Sequence, residues 1–182
     1  MVLIRTTLAT LACVVLGACL ASTPPAKLSE PTRIAVELRL EGPDGSAVEA
    51  GPQLREQLTG ELLRRNLVTM PLSLDLEQQR TTSRRLEVVA ADPAADGAPW
   101  VLLVEARARF FSQLSGRYRW EVEVRSTLAP RTALADAQAS DLAVAAFLQY
   151  EHEGPGDAIA FVRRQLVDDV LGLVDRVVTR SP

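Results

Sequence analysis

The chain has 182 residues with 23 acidic and 20 basic side chains, a net charge of −3 and 47% hydrophobic residues. That length suits one domain with a real core and hardly two. The basic residues are nearly all arginine, Lys27 being the only lysine, and they are scattered among acids, which argues against nucleic acid as a partner.

Met1 to Arg5 is a short positive start and Thr6 to Gly17 is an apolar stretch without a charge, the pattern of a secretory signal. As a helix this stretch would rise about 20 Å at ~1.5 Å per residue, short of the ~30 Å hydrocarbon core of a bilayer. Leu20 to Pro25 then turns polar and helix-breaking.

Leu16-Gly17-Ala18-Cys19 resembles the lipobox of bacterial lipoproteins. The resemblance implies that residues 1–18 are a lipoprotein signal peptide that is cut away. It also implies that Cys19 is acylated on its thiol and on the new amino terminus, with fatty chains of the palmitate kind. Leu20 stands where the family's inner-membrane retention signal is usually aspartate, so the resemblance points to the periplasmic face of the outer membrane. More than one acyl chain is needed for stable anchoring, and a multiply acylated Cys19 meets that need. An ordinary cleaved signal peptide, or a buried helix with Cys19 as a small hydrophobe, is the plainer alternative.

Residues 19–32 carry Ser, Thr and three prolines without periodicity and read as a flexible tether, able to reach roughly 40 Å at ~3.3 Å per residue. Residues 33–180 are expected to form a single domain. Arg33 to Glu41 alternates, with Ile34, Val36, Leu38 and Leu40 on one face and Glu37 among the charged residues of the other, as a half-buried strand does. A turn-rich loop follows, and from Pro52 the apolar residues Leu54, Leu58, Leu62, Leu63 and Leu67 take helical spacing. Val68 to Glu77 alternates but contains Pro71, which predicts an edge strand. Thr81 to Ala91 reads as a short helix presenting Leu86, Val89 and Ala90.

Trp100 to Phe111 and Arg117 to Leu128 both alternate and are joined by a short segment ending in Gly116. A three-residue loop at Leu114-Ser115-Gly116 pairs Arg109 with Glu121, Arg107 with Glu123 and Glu105 with Arg125. The same register sets Phe110 beside Trp120, Ala108 beside Val122 and Ala106 beside Val124 on the core face. Leu142 to Tyr150 is a further strand whose second face, Ala143, Ala145 and Phe147, is also apolar. Gly154-Pro155-Gly156 ends it, Asp157 is placed to cap a helix, and Ile159, Val162, Leu166, Val170, Leu173 and Val177 give that helix one unbroken core face.

This order of elements predicts an α+β fold, a two-layer sandwich with helices packed on one face of a mostly antiparallel sheet. Behind a lipobox, it resembles the small periplasmic domains of lipopolysaccharide-assembly lipoproteins, of the curli-secretion lipoprotein and penicillin-binding-protein activators, and of auxiliary lipoproteins of ABC transporters. The resemblance implies a non-enzymatic, membrane-anchored binding or assembly factor of the cell envelope. A lipid-transporter auxiliary, a secretion-channel component and a structural surface lipoprotein are the alternatives.

The sequence holds no Gly-rich phosphate loop, no G-x-S-x-G elbow and no metal-ligand spacing of Cys or His, so no catalytic residues, metal or cofactor are expected. His152, the one histidine, lies between Glu151 and Glu153, where a base or ligand role competes with a solvated turn. Asp168-Asp169 reads as a solvated helix face. The partners expected are the membrane, through Cys19, and an envelope protein or lipid. If Ala143, Ala145 and Phe147 are not covered by the Leu72 to Leu76 segment or the Ala129 to Ser140 loop, they are the candidate partner-binding residues.

Overall fold

A computed structural model describes residues 30–49, 52–72, 74, 76 and 78–178. The signal peptide, Cys19 and the tether as far as residue 29 lie outside the described residues. Among the described residues, five strands form one sheet in the order β2-β1-β3-β4-β5: β1 (Thr32–Glu41), β2 (Leu67–Pro71), β3 (Trp100–Leu114), β4 (Arg117–Pro130) and β5 (Gln138–Leu148). β1 lies parallel to both β2 and β3, while β3, β4 and β5 form an antiparallel meander whose two ladders are the longest in the sheet. The α+β sandwich is the expected one, but its helices are not confined to one face as expected: the helix before β3 packs on the opposite face from the others, because the crossover back past β1 runs in the reverse direction.

Helix α1 (Pro52–Arg64) connects β1 to β2, α2 (Thr82–Ala91) connects β2 to β3, and α3 (Pro155–Phe161) and α4 (Arg163–Val178) follow β5. One core layer joins Leu54, Leu58 and Leu62 of α1 and the apolar stripes of α3 and α4 to Ile34, Leu102, Val104, Val122 and Val124 of the sheet. Each buried Leu or Val side chain there contributes about 1.5–3 kcal/mol. A smaller cluster on the opposite face places Leu86 and Val89 of α2, with Leu72 and Leu76, over Ala35, Val101 and Leu103. The position of α2 follows from handedness. From β1 the chain steps one way to β2, then returns past β1 to β3 with all three strands parallel. Right-handed crossovers in opposite directions put their helices on opposite faces.

The hairpin register is the expected one, by a different turn. Ser115 (φ 50°) and Gly116 (φ 76°) form a two-residue turn with Leu114 opposite Arg117, instead of the three-residue loop expected. Phe111 is then left out of the ladder as a bulge, which shifts the register by one and restores Phe110 opposite Trp120, Arg109 opposite Glu121 and Glu105 opposite Arg125. The final helix is broken: Val162 (φ −92°, ψ 7°) separates α3 from α4. The N-cap of α3 is Gly154, and Asp157 acts three residues later by accepting the Gly154 N–H at 2.8 Å. Leu63 is exposed and Leu67 starts β2, so neither belongs to the core stripe of α1.

Glu37 departs furthest from its expected place on a solvated face, being only 4% exposed. The chain from β2 to α2 crosses above it, the Leu74 N–H donates to the carboxylate, and Oε2 is buried without a partner. Burial pushes this carboxyl above the ordinary range, opposed by the Leu74 hydrogen bond and the charge of Arg55. A carboxyl raised in the folded state favours folding below its unfolded pKa, and that contribution is lost as pH rises through the folded value. Glu37→Gln is therefore expected to melt at a higher temperature than the parent at pH 7, with the difference shrinking as the pH falls into the carboxylate range. Thermal melts of both proteins between pH 3.5 and 8 check this, and a pH-independent difference would contradict it.

Candidate partner-binding face

The face of the β3–β4–β5 meander turned away from α1 and α4 is built by strict alternation. β3 sends Glu105, Arg107 and Arg109 to it, β4 sends Arg119, Glu121, Glu123 and Arg125, and β5 sends Asp141, Ala143, Ala145 and Phe147. The charges largely satisfy one another. Arg85 of α2 pairs with Glu105, which also accepts from the Thr82 hydroxyl at 2.8 Å, and Arg125 lies 3.7 Å from Asp141. Arg109 pairs diagonally with Glu123 in place of Glu121 directly opposite, a reach that long side chains make across a twisted ladder. A groove of about 430 Å³ runs over this charged region, with Arg85, Glu105 and Arg107 at one side and Asp141 and Ala143 at the other.

The row Ala143, Ala145, Phe147 lies beside Glu123, Glu121 and Arg119 of β4. Ala143 is exposed, Ala145 half-buried and Phe147 41% exposed. Neither proposed internal cover is there. Leu72 and Leu76 are spent under α2, and residues 131–137 turn near Pro99 and α2 at the far end of the meander. The strip is therefore open among the described residues.

A second apolar feature, which the alternation alone did not show, is the hairpin tip. There Phe110, in the ladder beside Trp120 but 50% exposed, and the bulged Phe111 (57%) are both open, and the Arg119 guanidinium sits 4.3 Å over the Phe111 ring. The doubled Phe110-Phe111 within an alternating strand was the sequence signal for that bulge.

The remaining candidates do not converge. His152 is exposed and stacks on Tyr150 with ring centroids 5.4 Å apart. Glu153 is committed to the turn, its carboxylate accepting the N–H groups of Gln149 at 2.8 Å and Tyr150 at 2.6 Å. Among the described residues, no three of His, Cys, Asp and Glu are grouped to hold a metal. Asp168 is exposed as expected, but Asp169 is not: it turns to the sheet, where it accepts from Ser140 Oγ at 2.7 Å and, more distantly, Ser126 Oγ at 3.5 Å. It pins α4 to β4 and β5.

Fold and face together define an α+β sandwich with an apolar row set open in a self-neutralised charged surface. No family model and no curated protein matches the chain in sequence. Among solved structures it is similar to the lipoprotein GNA1162 from Neisseria meningitidis, at 12% identity and a TM-score of 0.45 over 80% of this chain and 99% of that one. It is similar also to a minor lipoprotein from Acinetobacter baumannii, at 13% identity and a TM-score of 0.41 over 78% and 92% of the two chains. The third is the rare lipoprotein B from Shewanella oneidensis, at 9% identity and a TM-score of 0.37 over 81% and 95%. Likeness at this level carries no residue, ligand or partner across to this chain.

His152→Ala removes only an exposed stacking contact in a turn held by Glu153. It is expected to change unfolding free energy by less than about 0.5 kcal/mol, measured by denaturant titration.

Proposed function

We propose that this chain is a non-enzymatic lipoprotein of the bacterial envelope, anchored by acyl chains on Cys19, that binds an envelope partner through Ala143, Ala145 and Phe147. The finer placement, on the periplasmic face of the outer membrane in a role like that of the lipopolysaccharide-assembly lipoproteins, rests on Leu16-Gly17-Ala18-Cys19, on Leu20 and on the order of elements. The observation that carries the binding role is the open strip. An apolar row on a sheet face whose neighbours are all charged has no folding reason to lack a cover, and such patches on soluble domains mark interaction sites. The partner suited to it is a protein or lipid with an apolar ridge about three residues long, held in register by the charged residues of β4.

Two substitutions test the two halves of this reading. Cys19→Ser is expected to leave the chain unacylated and absent from the membrane fraction, as judged by mass spectrometry of the N-terminal peptide. An unchanged lipid-bearing peptide would refute the anchor. Phe147→Asp is expected to leave the melting temperature nearly unchanged, because residue 147 is open and faces Arg119. It should also abolish co-purification of the partner from detergent-solubilised membranes. Retention of a stoichiometric partner by the variant would move the site elsewhere, and absence of any partner from the parent would leave a structural surface lipoprotein.

A further inference from the structure

β5 is an edge of the sheet, and among the described residues no segment pairs with its outer side. Soluble proteins protect such edges with proline, charge, bulges or brevity, since an open row of N–H and C=O groups is a template for another strand. The opposite edge is protected in this way: β2 is five residues long and ends in Pro71. β5 lacks these devices over most of its length. It runs for eleven residues without proline or a basic side chain, its register with β4 is unbroken from Gln138 to Leu148, and Asp141 is its single charge. Leu142 to Leu148, LAVAAFL, is seven consecutive apolar residues on that open edge.

We propose that β5 pairs antiparallel with β5 of a second copy of this chain across a two-fold axis at Ala145, joining the two sheets into one. Between two copies, the register that pairs the whole apolar run with itself is the one centred on Ala145. Ala145 is the centre of Leu142–Leu148, so an axis there sets Leu142 opposite Leu148, Ala143 opposite Phe147 and Val144 opposite Ala146, while Ala145 meets its own counterpart. Phe147 thus meets the small Ala143, and Asp141 falls outside the apolar run, opposite Gln149. An axis at Val144 would set the Asp141 carboxylate against Phe147. One at Ala143 would set it against Ala145 and Gln138 against Leu148. Directly opposite residues of an antiparallel pair point to the same face, so α3 and α4 of both copies lie on one side. The strips of the two copies then adjoin as one continuous apolar band on the other. The pairing stands on the edge of β5, independently of the binding role proposed above, and it doubles the surface assigned to that role.

The full chain carrying Ala145→Cys, oxidised in intact membranes or, if it is recovered soluble, in dilute solution, tests the axis directly. Under this pairing it forms a reducible, disulfide-linked dimer well above the parent, whose own thiols set the background. Ala143→Cys does not, because its counterpart lies four residues along the strand, about 14 Å away at ~3.4 Å per residue. Both substitutions exchange one small side chain for another on the open face, and melts of the reduced proteins verify that they fold. Equal cross-linking of the two variants, no cross-link above the parent from Ala145→Cys, or a cross-link from it to a different protein would each overturn the proposal. The cross-link is read on this chain alone and co-purification is read on the envelope partner, so failure of one reading is distinguishable from failure of the other.

Discussion

The pairing of β3 with β4 is the constraint on which the rest of this structure hangs. It is the longest ladder in the sheet, and it fixes at once which side chains form the core floor and which form the open face. A slip of one residue would send Val122, Val124 and Trp120 to the charged side and Glu121, Glu123 and Arg125 under α4. Two devices prevent that slip. Ser115 and Gly116 impose a tight turn by adopting positive φ, which costs Gly116 little and the non-glycine Ser115 more. Phe111 then leaves the ladder, absorbing the one-residue difference between what the turn dictates and what the two faces require. The bulge lies at the tip, beyond the last pairing of β1 with β3 at Arg107, where no third strand on that side resists the local twist.

Much of this was legible because alternation and charge are local signals. The opposed Arg and Glu residues of β3 and β4 carry the register in the sequence itself, and the leucine spacing of α1 and the apolar spacing of α2 mark their buried faces without knowledge of a neighbour. What was not legible depends on where the chain goes next. Glu37 looks solvent-facing by alternation and becomes buried because the link from β2 to α2 crosses above it, a consequence of the parallel pairing of β1 with β3. Asp169 lies off the main stripe of α4 by helical geometry, yet the helix packs at the β4–β5 side, where Ser126 and Ser140 offer hydroxyls. The break at Val162 leaves the apolar spacing almost intact, so periodicity could not register it. For the candidate site, the strip itself was visible in Ala143, Ala145 and Phe147, but whether it had a cover was decided by the route of Leu72 to Leu76 to the α2 end.

The sheet is asymmetric in how it treats its two sides. Its parallel half is enclosed, as parallel strands generally are, with α1 on one face and α2 on the other. Among the described residues, its antiparallel half has α3 and α4 on one face only, and no strand after β5 closes the edge. The open surface is therefore a product of topology before it is a product of composition: the path of the described residues leaves one face of β4 and β5 and one edge of β5 without a neighbour.

Composition then determines what that opening can do. On β4 the open face is charged at each alternate position from Arg119 to Arg125, which solvates it without help. On β5 the corresponding positions turn apolar after Asp141 while the core-facing positions stay apolar too. Removing charge from both faces of an edge strand sacrifices solubility at the place where a sheet is most prone to add another strand, and gains nothing within the monomer, since the core-facing residues already pack on α3 and α4. The small size of Ala143, Ala145 and Ala146 has a further effect, because short side chains leave the backbone groups beside them accessible to an incoming strand. An open apolar row and an unpaired backbone edge thus coincide on one element, which is why the proposed partner strip and the proposed pairing edge fall on the same strand.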